Sequence, residues 1–421
     1  MQQKRASPPA TTPIELIAWC LYDFANSAFT TVIVTVAYSV YFTEVVARGS
    51  GKGEALWGRG YALSMIIVGL ISPLLGSVAD FTAQKRRFLF FFTLLCVLPT
   101  GLLYFVQAGD IGLGIILFVV ANFGYNAALT FYDAFLREIA RREEMGKISG
   151  YGWALGYIGG LASLIAVYPF IRKGFGPENL DSFRISFPIT ALFFFFASLP
   201  TFIFVRDKLS PNPLPAGKSY FQVGLYRVTA TIKELRGMRD LLKFFICYLI
   251  YSDGINTVIV FSAIFATRVL GFTPGELMIY FISTQIAAAA GTYFLGLITD
   301  RIGVKKTISF TLWIWALISV WAFFVQSKGE FYILGWVAAS ALGSNQSASR
   351  AFLGYFVPAD RSAEFFGFFS LTGKFSAVLG PLLFGELASA TGSPRWAILS
   401  LVSFFLLGLF LLRYVRSPEP L

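Results

Sequence analysis

The chain reads as an all-α membrane protein with twelve transmembrane helices in two pseudo-symmetric six-helix bundles, an expectation that rests on three observations. Composition is the first: of 421 residues, 56% are hydrophobic and 14% charged, and none is histidine, far outside the range of a soluble domain. Segment length is the second. A helix of about 20 mainly apolar residues crosses a bilayer, and twelve such stretches occur, near 14–46, 57–79, 88–107, 111–133, 149–171, 185–205, 242–268, 277–299, 307–326, 331–357, 363–388 and 396–414. The third is internal repetition, because polar patterns within the spans and their loops return at offsets of 217 to 230 residues. Residues 1–205 are thus expected to form one bundle, 206–243 a cytoplasmic linker, and 244–421 the second bundle.

The net charge of +11 follows the loops. Alternating loops, with the set that includes both termini, hold 23 of the Lys and Arg residues, and the other set holds 9. By the positive-inside rule both termini are cytoplasmic, which requires an even number of spans. The partner of this basic surface is therefore the lipid bilayer, and nucleic acid is excluded. The N-terminal MQQKRASPPATTP has no small-residue cleavage site, so the first apolar run is expected to remain as a helix. Cys20, Cys96 and Cys247 all fall within spans, where they serve as small packing residues and supply no disulfide, metal or cofactor framework.

The first span carries a carboxylate, Asp23, in WCLYDFANSAFT, residues 19–30. A charge at membrane depth costs at least about 2.5 kcal/mol, so it must face a partner or an aqueous cavity. Asn26, Ser27 and Thr30 extend a polar stripe along the same helix face. The seventh span repeats the arrangement in YSDGINT, where Asp253 and Asn256 restore the Asp-x-x-Asn spacing 230 residues later.

Two loops repeat as well. GSVADFTAQKRR holds Gly76, Asp80, Lys85 and Arg86, and GLITDRIGVKK holds Gly296, Asp300, Arg301 and Lys305, at an offset of 220. The paired loops resemble the signature of the major facilitator superfamily, in which these residues gate access at the cytoplasmic ends of the helices; the first copy departs from it at Phe81 and Ala83. The resemblance implies that Asp80 and Asp300 accept hydrogen bonds and pair with basic residues across the interface between the halves when the carrier faces outward. It also implies two parallel six-span repeats with a site near the midplane.

Further parts of the repeat place Asn126 opposite Asn345, Gly150 opposite Gly367, Asp133 opposite Arg350 and Tyr157 opposite Lys374. ISGYGWALGYIGG in the fifth span spaces its glycines for close helix approach. In the linker, Phe221, Leu225, Val228, Ile232 and Leu235 form an apolar stripe avoided by Arg227, Lys233, Arg236 and Arg239, the pattern of an amphipathic helix on the inner leaflet. Asp133 could pair with Arg137 one turn later.

Asp23, Asp253, Arg350 and Lys374 lie at similar depth, from the inner third to the midplane. Two acids and two bases suit a zwitterion: a basic side chain for a carboxylate, an acid or amide for an ammonium group. Tyr22, Trp153, Tyr157 and Tyr251 are candidate walls or cation–π faces, with core packing as the alternative. Without histidine, proton coupling falls on Asp23 and Asp253, and a sodium ion is the rival coupling partner.

WCLYDFANSAF, ISGYGWALGYIGG, NQSASRAFL and EFFGFFSLTGKFSAVLGPLLFG together resemble one branch of the superfamily, the autophagy-linked vacuolar amino-acid effluxers and their bacterial relatives. That resemblance implies a secondary active transporter that exports a small zwitterion by alternating access, placed in a bacterial inner membrane and working as a monomer. A carrier of an amphipathic lipid or drug, and a non-transporting receptor, are the competing readings. Enzyme chemistry is disfavoured, since the chain lacks histidine, a nucleotide-binding loop and a soluble catalytic domain.

Overall fold

Apolar runs of this length satisfy their backbone in lipid by closing it into helices, and a computed structural model of the protein gives helices throughout, describing residues 11–48, 53–176, 178–376 and 379–417. Helix α1 (Pro13–Ala28) starts at an N-cap, Thr12, whose hydroxyl accepts the Glu15 N–H, with Pro13 in the first turn where its missing donor costs nothing. The span then continues π-wound through Phe29–Val36, as the short α2 (Tyr38–Tyr41), and π-wound again through Phe42–Val46. Five long helices follow: α3 (Gly53–Thr82), α4 (Lys85–Leu102), α5 (Ile111–Ile139), α6 (Met145–Ile171) and α7 (Leu180–Phe204). The linker helix is α8 (Tyr220–Leu235). After it come α9 (Arg239–Leu270), α10 (Pro274–Ile302), α11 (Val304–Phe324), α12 (Lys328–Phe356), α13 (Ser362–Phe375), α14 (Leu379–Thr391), α15 (Pro394–Ser400) and α16 (Val402–Arg413).

Among the described residues, eleven helices are both long and apolar enough to cross a membrane. The tenth expected span, α12, is not one of them. Its 29 residues are ample in length, and its polar content explains the difference: Ser340, Ser344, Asn345, Gln346, Ser347, Ser349 and Arg350 all sit on it. Most of these are buried, so the helix spends its polarity inside the protein.

The chain divides into two compact units. The first holds Met1–Arg142, Ala162–Thr229 and Val357–Phe368; the second holds Glu143–Leu161, Ala230–Phe356 and Phe369–Leu421. Each therefore includes a short segment remote in sequence. In the first unit, α3 and α13 cross at Gly76 and Gly367: a Cβ on Gly76 would overlap the Ala363 carbonyl, and one on Gly367 would sit 2.6 Å from the Ser72 carbonyl oxygen. In the second, α6 and α10 cross at Gly150 and Gly296, whose partner Cα atoms would lie 3.0 and 3.2 Å from an added Cβ. The two crossings are equivalent in the sequence repeat, and the absence of side chains is what lets the backbones meet.

The turn between α3 and α4 bends at Ala83, the one described non-glycine residue with positive φ, at +50°. The corresponding turn of the repeat uses Gly303, at +90°. Helix α8 buries Val223, Gly224 and Thr231 and exposes Phe221, Leu225, Tyr226 and Ile232. Leu235, the last member of the expected apolar stripe, is buried instead.

Candidate functional site

In the first unit the sequence WCLYDFAN is built around one residue of α5, Tyr132. The Trp19 indole stacks on the Tyr132 ring, with centroids 4.5 Å apart, and donates its N–H to the Tyr132 carbonyl at 3.0 Å. Tyr22 stacks on the same ring at 5.0 Å. The Tyr132 hydroxyl donates to Asp23 Oδ2 at 2.8 Å, while the Asn26 amide donates to Oδ1 at 3.2 Å. The carboxylate is thus buried and oriented from two sides. Ser27 and Thr30, the rest of the expected stripe, turn their hydroxyls back onto carbonyls of their own helix, those of Asp23 and Ser27. Tyr22 itself is fully buried; its hydroxyl bonds Thr93 at 2.7 Å and its ring meets Phe194 and Phe202, so its surroundings are those of a packing residue. Asn126 lies buried nearby in sequence on α5 and donates to the carbonyl and side chain of Asn122.

In the second unit, Asp253 and Asn256 of α9 hold the facing ends of α13 and α14. Asp253 Oδ2 accepts the Gly380 N–H at 2.9 Å, in the first turn of α14 where a helix favours an anion. The Asn256 amide donates to the Ser376 carbonyl at 3.2 Å, just beyond α13. Lys374, half-buried, occupies the last turn of α13. Arg350, only 3% exposed, places its Nε and Nη2 on the Ser149 hydroxyl and carbonyl, both at 2.8 Å, with its guanidinium 5.7 Å from the Trp153 ring. The Trp153 N–H is buried without a hydrogen-bond partner. Tyr157 donates to Gln346 at 3.5 Å. Tyr251 is fully buried on Ser349, and Asn345 donates to Thr311 at 2.9 Å. Asp253 and Asn256 meet at the junction of α13 and α14, which Lys374 precedes by two residues in the chain, while Tyr251 and Asn345 serve the interior.

A third constellation occupies the first unit around the start of α13. Lys85 is 1% exposed, with its ammonium 2.9 Å from Asp80 and 2.5 Å from Glu138, and it donates to Ser362 at 2.8 Å. Asp80 also accepts the backbone N–H groups of Ala363 and Glu364, at 3.2 and 2.8 Å. A buried cation shared by two acids, one of which caps a helix N-terminus, is electrostatically closed. Glu364, fully buried, is approached by Arg227 of α8 at 3.8 Å and by Arg361 at 3.2 Å.

The other residues expected to gate access differ in part. Arg86 does not join Asp80; its backbone N–H goes to Asp207 at 3.2 Å and its guanidinium to the Phe202 and Val205 carbonyls. Lys305 donates to the carbonyls of Arg413 and Val415, at the end of α16, which lies within its reach. Arg301 is exposed, Gly296 sits at its helix crossing, and the side chain of Asp300 lies outside the described residues. Arg137, the suggested partner of Asp133, donates to the Val357 carbonyl at 3.0 Å. Reading the sequence missed Tyr132, Glu138, Ser149 and Glu364. Only Glu138 left a signal there, as an acid close after the apolar run of the fourth span.

The profile of the family described as "Vacuole effluxer Atg22 like" matches residues 60–145 and 137–419. The chain belongs to that family. Among relatives of this Atg22-like protein, the uncharacterized MFS-type transporter YxiO of Bacillus subtilis is 30% identical over 411 residues, covering 96% of this chain and 94% of its own. Autophagy-related protein 22 of Yarrowia lipolytica is 24% identical over 84% of this chain and 74% of its own. Solved structures with the same fold include the human organic anion transporter MFSD10, at TM-score 0.72 and 13% identity, covering 96% of this chain and all of that one. A bacterial homologue of the iron transporter ferroportin, in an outward-facing state, follows at TM-score 0.69 and 13% identity, covering 96% and 99%. The Atg22-like chain is therefore an integral membrane transporter with the major facilitator fold. Asp23 precedes the matched family segments, and the B. subtilis relative aligns over nearly the whole chain.

Proposed function

We propose that this Atg22-like transporter moves a small zwitterionic solute, an amino acid exported by secondary active transport, with access alternating between the two sides of the membrane. The observation that carries the reading is a buried carboxylate at the equivalent place in each repeat. Asp23 is held by Tyr132 and Asn26, and Asp253 and Asn256 hold the helix junction that follows Lys374 in the chain. Charges kept in a membrane at such cost favour a functional role, and helix ends near midplane are where carriers of this kind bind ions and substrates. Asp23 and Asn26 receive the ammonium group, and Lys374 the carboxylate, with Arg350 beside Trp153 as a second base. Coupling, to a proton or to sodium, falls on Asp23 and Asp253. The cluster of Asp80, Lys85 and Glu138 is the latch that has to open in each cycle. The protein works as a monomer in a bacterial inner membrane, with both termini cytoplasmic.

The test is flux of radiolabelled leucine in proteoliposomes. Asp23→Asn and Lys374→Ala each lose transport while keeping expression and detergent stability, and Tyr132→Phe, which keeps the ring stack and removes the hydrogen bond, slows it. Normal flux in the purified Asp23→Asn protein would overturn the reading. A second reading, a carrier of an amphipathic lipid or drug, is favoured by an apolar cavity in the second unit. Lysophospholipid flux in place of leucine flux would select it, and absence of any flux would leave the receptor reading.

A further inference from the structure

The second unit contains a cavity of about 170 Å³ between α9, α10, α11 and α12. Its floor is buried and apolar: Phe265, Ala288, Ile318 and Phe331 are each at most 2% exposed. Two lining residues, Ile259 and Phe281, are more than 40% exposed and mark its mouth. No Asp, Glu, Lys or Arg is among the residues that line it, so a charged ligand has no counter-ion there.

One wall residue stands apart. Trp315 of α11 is 1% exposed, and its indole N–H has no hydrogen-bond partner. Buried donors are nearly always satisfied, so an orphan in a cavity wall calls for an acceptor. None of the other polar side chains of the lining, those of Tyr157, Ser262, Tyr280, Thr284 and Gln285, accepts this N–H. Ser262 and Thr284 donate their hydroxyls to carbonyls of their own helices, at 2.8 Å each, and Tyr157 donates to Gln346. Apolar side chains make up most of the lining, and an apolar cavity of about 150 Å³ stays dry and takes up benzene.

We propose that this cavity is a binding site for a compact uncharged group, a six-membered ring or branched alkyl chain carrying one hydrogen-bond acceptor, which receives the Trp315 N–H. Two sources share that chemistry. One is a free apolar solute; the other is the side chain of the transported amino acid, an assignment that rests on the transport reading above. Tyr157, which lines the cavity and is also a candidate transport residue, joins the two places in sequence.

The experiment uses full-length protein labelled with 5-fluorotryptophan in lipid nanodiscs. The chain has 8 Trp residues, and loss of one fluorine resonance in Trp315→Phe assigns the reporter. Titration with benzyl alcohol is expected to shift that resonance saturably. Ala338→Phe, which fills the cavity, weakens the apparent affinity at least tenfold, and Ala288→Phe serves as a second filler should the first fail to fold. By thermal shift the unlabelled parent prefers benzyl alcohol to toluene by about fivefold, the factor expected of one hydrogen bond, and Trp315→Phe loses that preference. A tyrosine titration, whose side chain is a six-membered ring with one hydroxyl acceptor, identifies the substrate side chain as the source if it moves the same resonance; a response to the alcohol alone identifies a free solute. A reporter that does not move, a shift that fails to saturate, or one unaffected by both cavity-filling substitutions overturns the proposal. The alcohol arm needs no transport, so its outcome stands apart from that of the flux assay.

Discussion

Asp207, in the segment after α7, accepts the Arg86 N–H and is half-buried, and desolvation there pushes its pKa up from 3.8 to about 6. The sign of the consequence follows from linkage: the folded protein takes up a proton as pH falls through about 6, whereas the unfolded chain does so only near 4, so folding is favoured increasingly as pH drops between those values. Ionised Asp207 therefore costs stability at neutral pH, by about 1 kcal/mol between pH 7 and pH 5. Asp207→Asn is expected to raise the melting temperature at pH 7 and to raise it less at pH 5; an equal effect at both would refute the assignment. The neighbouring Lys85 obeys different physics. Removing it would strand Asp80 and Glu138 without their cation, which explains why a lysine is 1% exposed here. At this scale the sequence exposed the unusual acids, Asp23 and Asp253, because they interrupt apolar runs. Their partners were hidden: Tyr132 is an ordinary aromatic in its span, and Gly380 contributes only a backbone N–H.

Among elements, the turn from α3 to α4 carries local strain that its repeat avoids. Ala83 holds φ at +50° where Gly303 stands in the second copy, and a left-handed residue with a Cβ costs roughly 1–2 kcal/mol. Ala83→Gly is accordingly expected to stabilise the purified protein by about 1 kcal/mol, read as a higher melting temperature; a lower one would mean that the entropy of glycine outweighs the relief. The helices themselves were legible, because period, length and caps are local properties, and each predicted span coincides with a described helix or a run of them. Helix α12 was legible as a helix even though polar residues lower its apolarity. The amphipathic α8 was legible too, with its exposed Phe221, Leu225 and Ile232. Its Arg227 was read as part of the solvated face, yet it turns inward toward Glu364, since only packing reveals that a buried carboxylate lies within its reach.

For the whole molecule, orientation in the membrane is the quantity that loop charge argues most directly. Reporter fusions at residue 210, in the linker, are expected to be active only in the cytoplasmic sense, and fusions near residue 328 only on the opposite side; the reverse pattern would overturn the topology. Composition, apolar segments and the duplicated motifs were enough to specify a twelve-helix carrier built from two repeats, because hydrocarbon admits few backbone structures and writes that constraint into every span. The paired glycines of the crossings were visible as a repeat, but not as the places where Gly76 meets Ala363 and Gly150 meets Gly296. Nor could the chain alone indicate that Lys85 is shared by Asp80 and Glu138, or that Trp315 leaves a donor unpaired in an apolar hollow. Those features depend on side chains brought together from positions far apart in the chain. Sequence determined the fold and the burial of charge through local hydropathy, and only tertiary packing decided which group answers each charge.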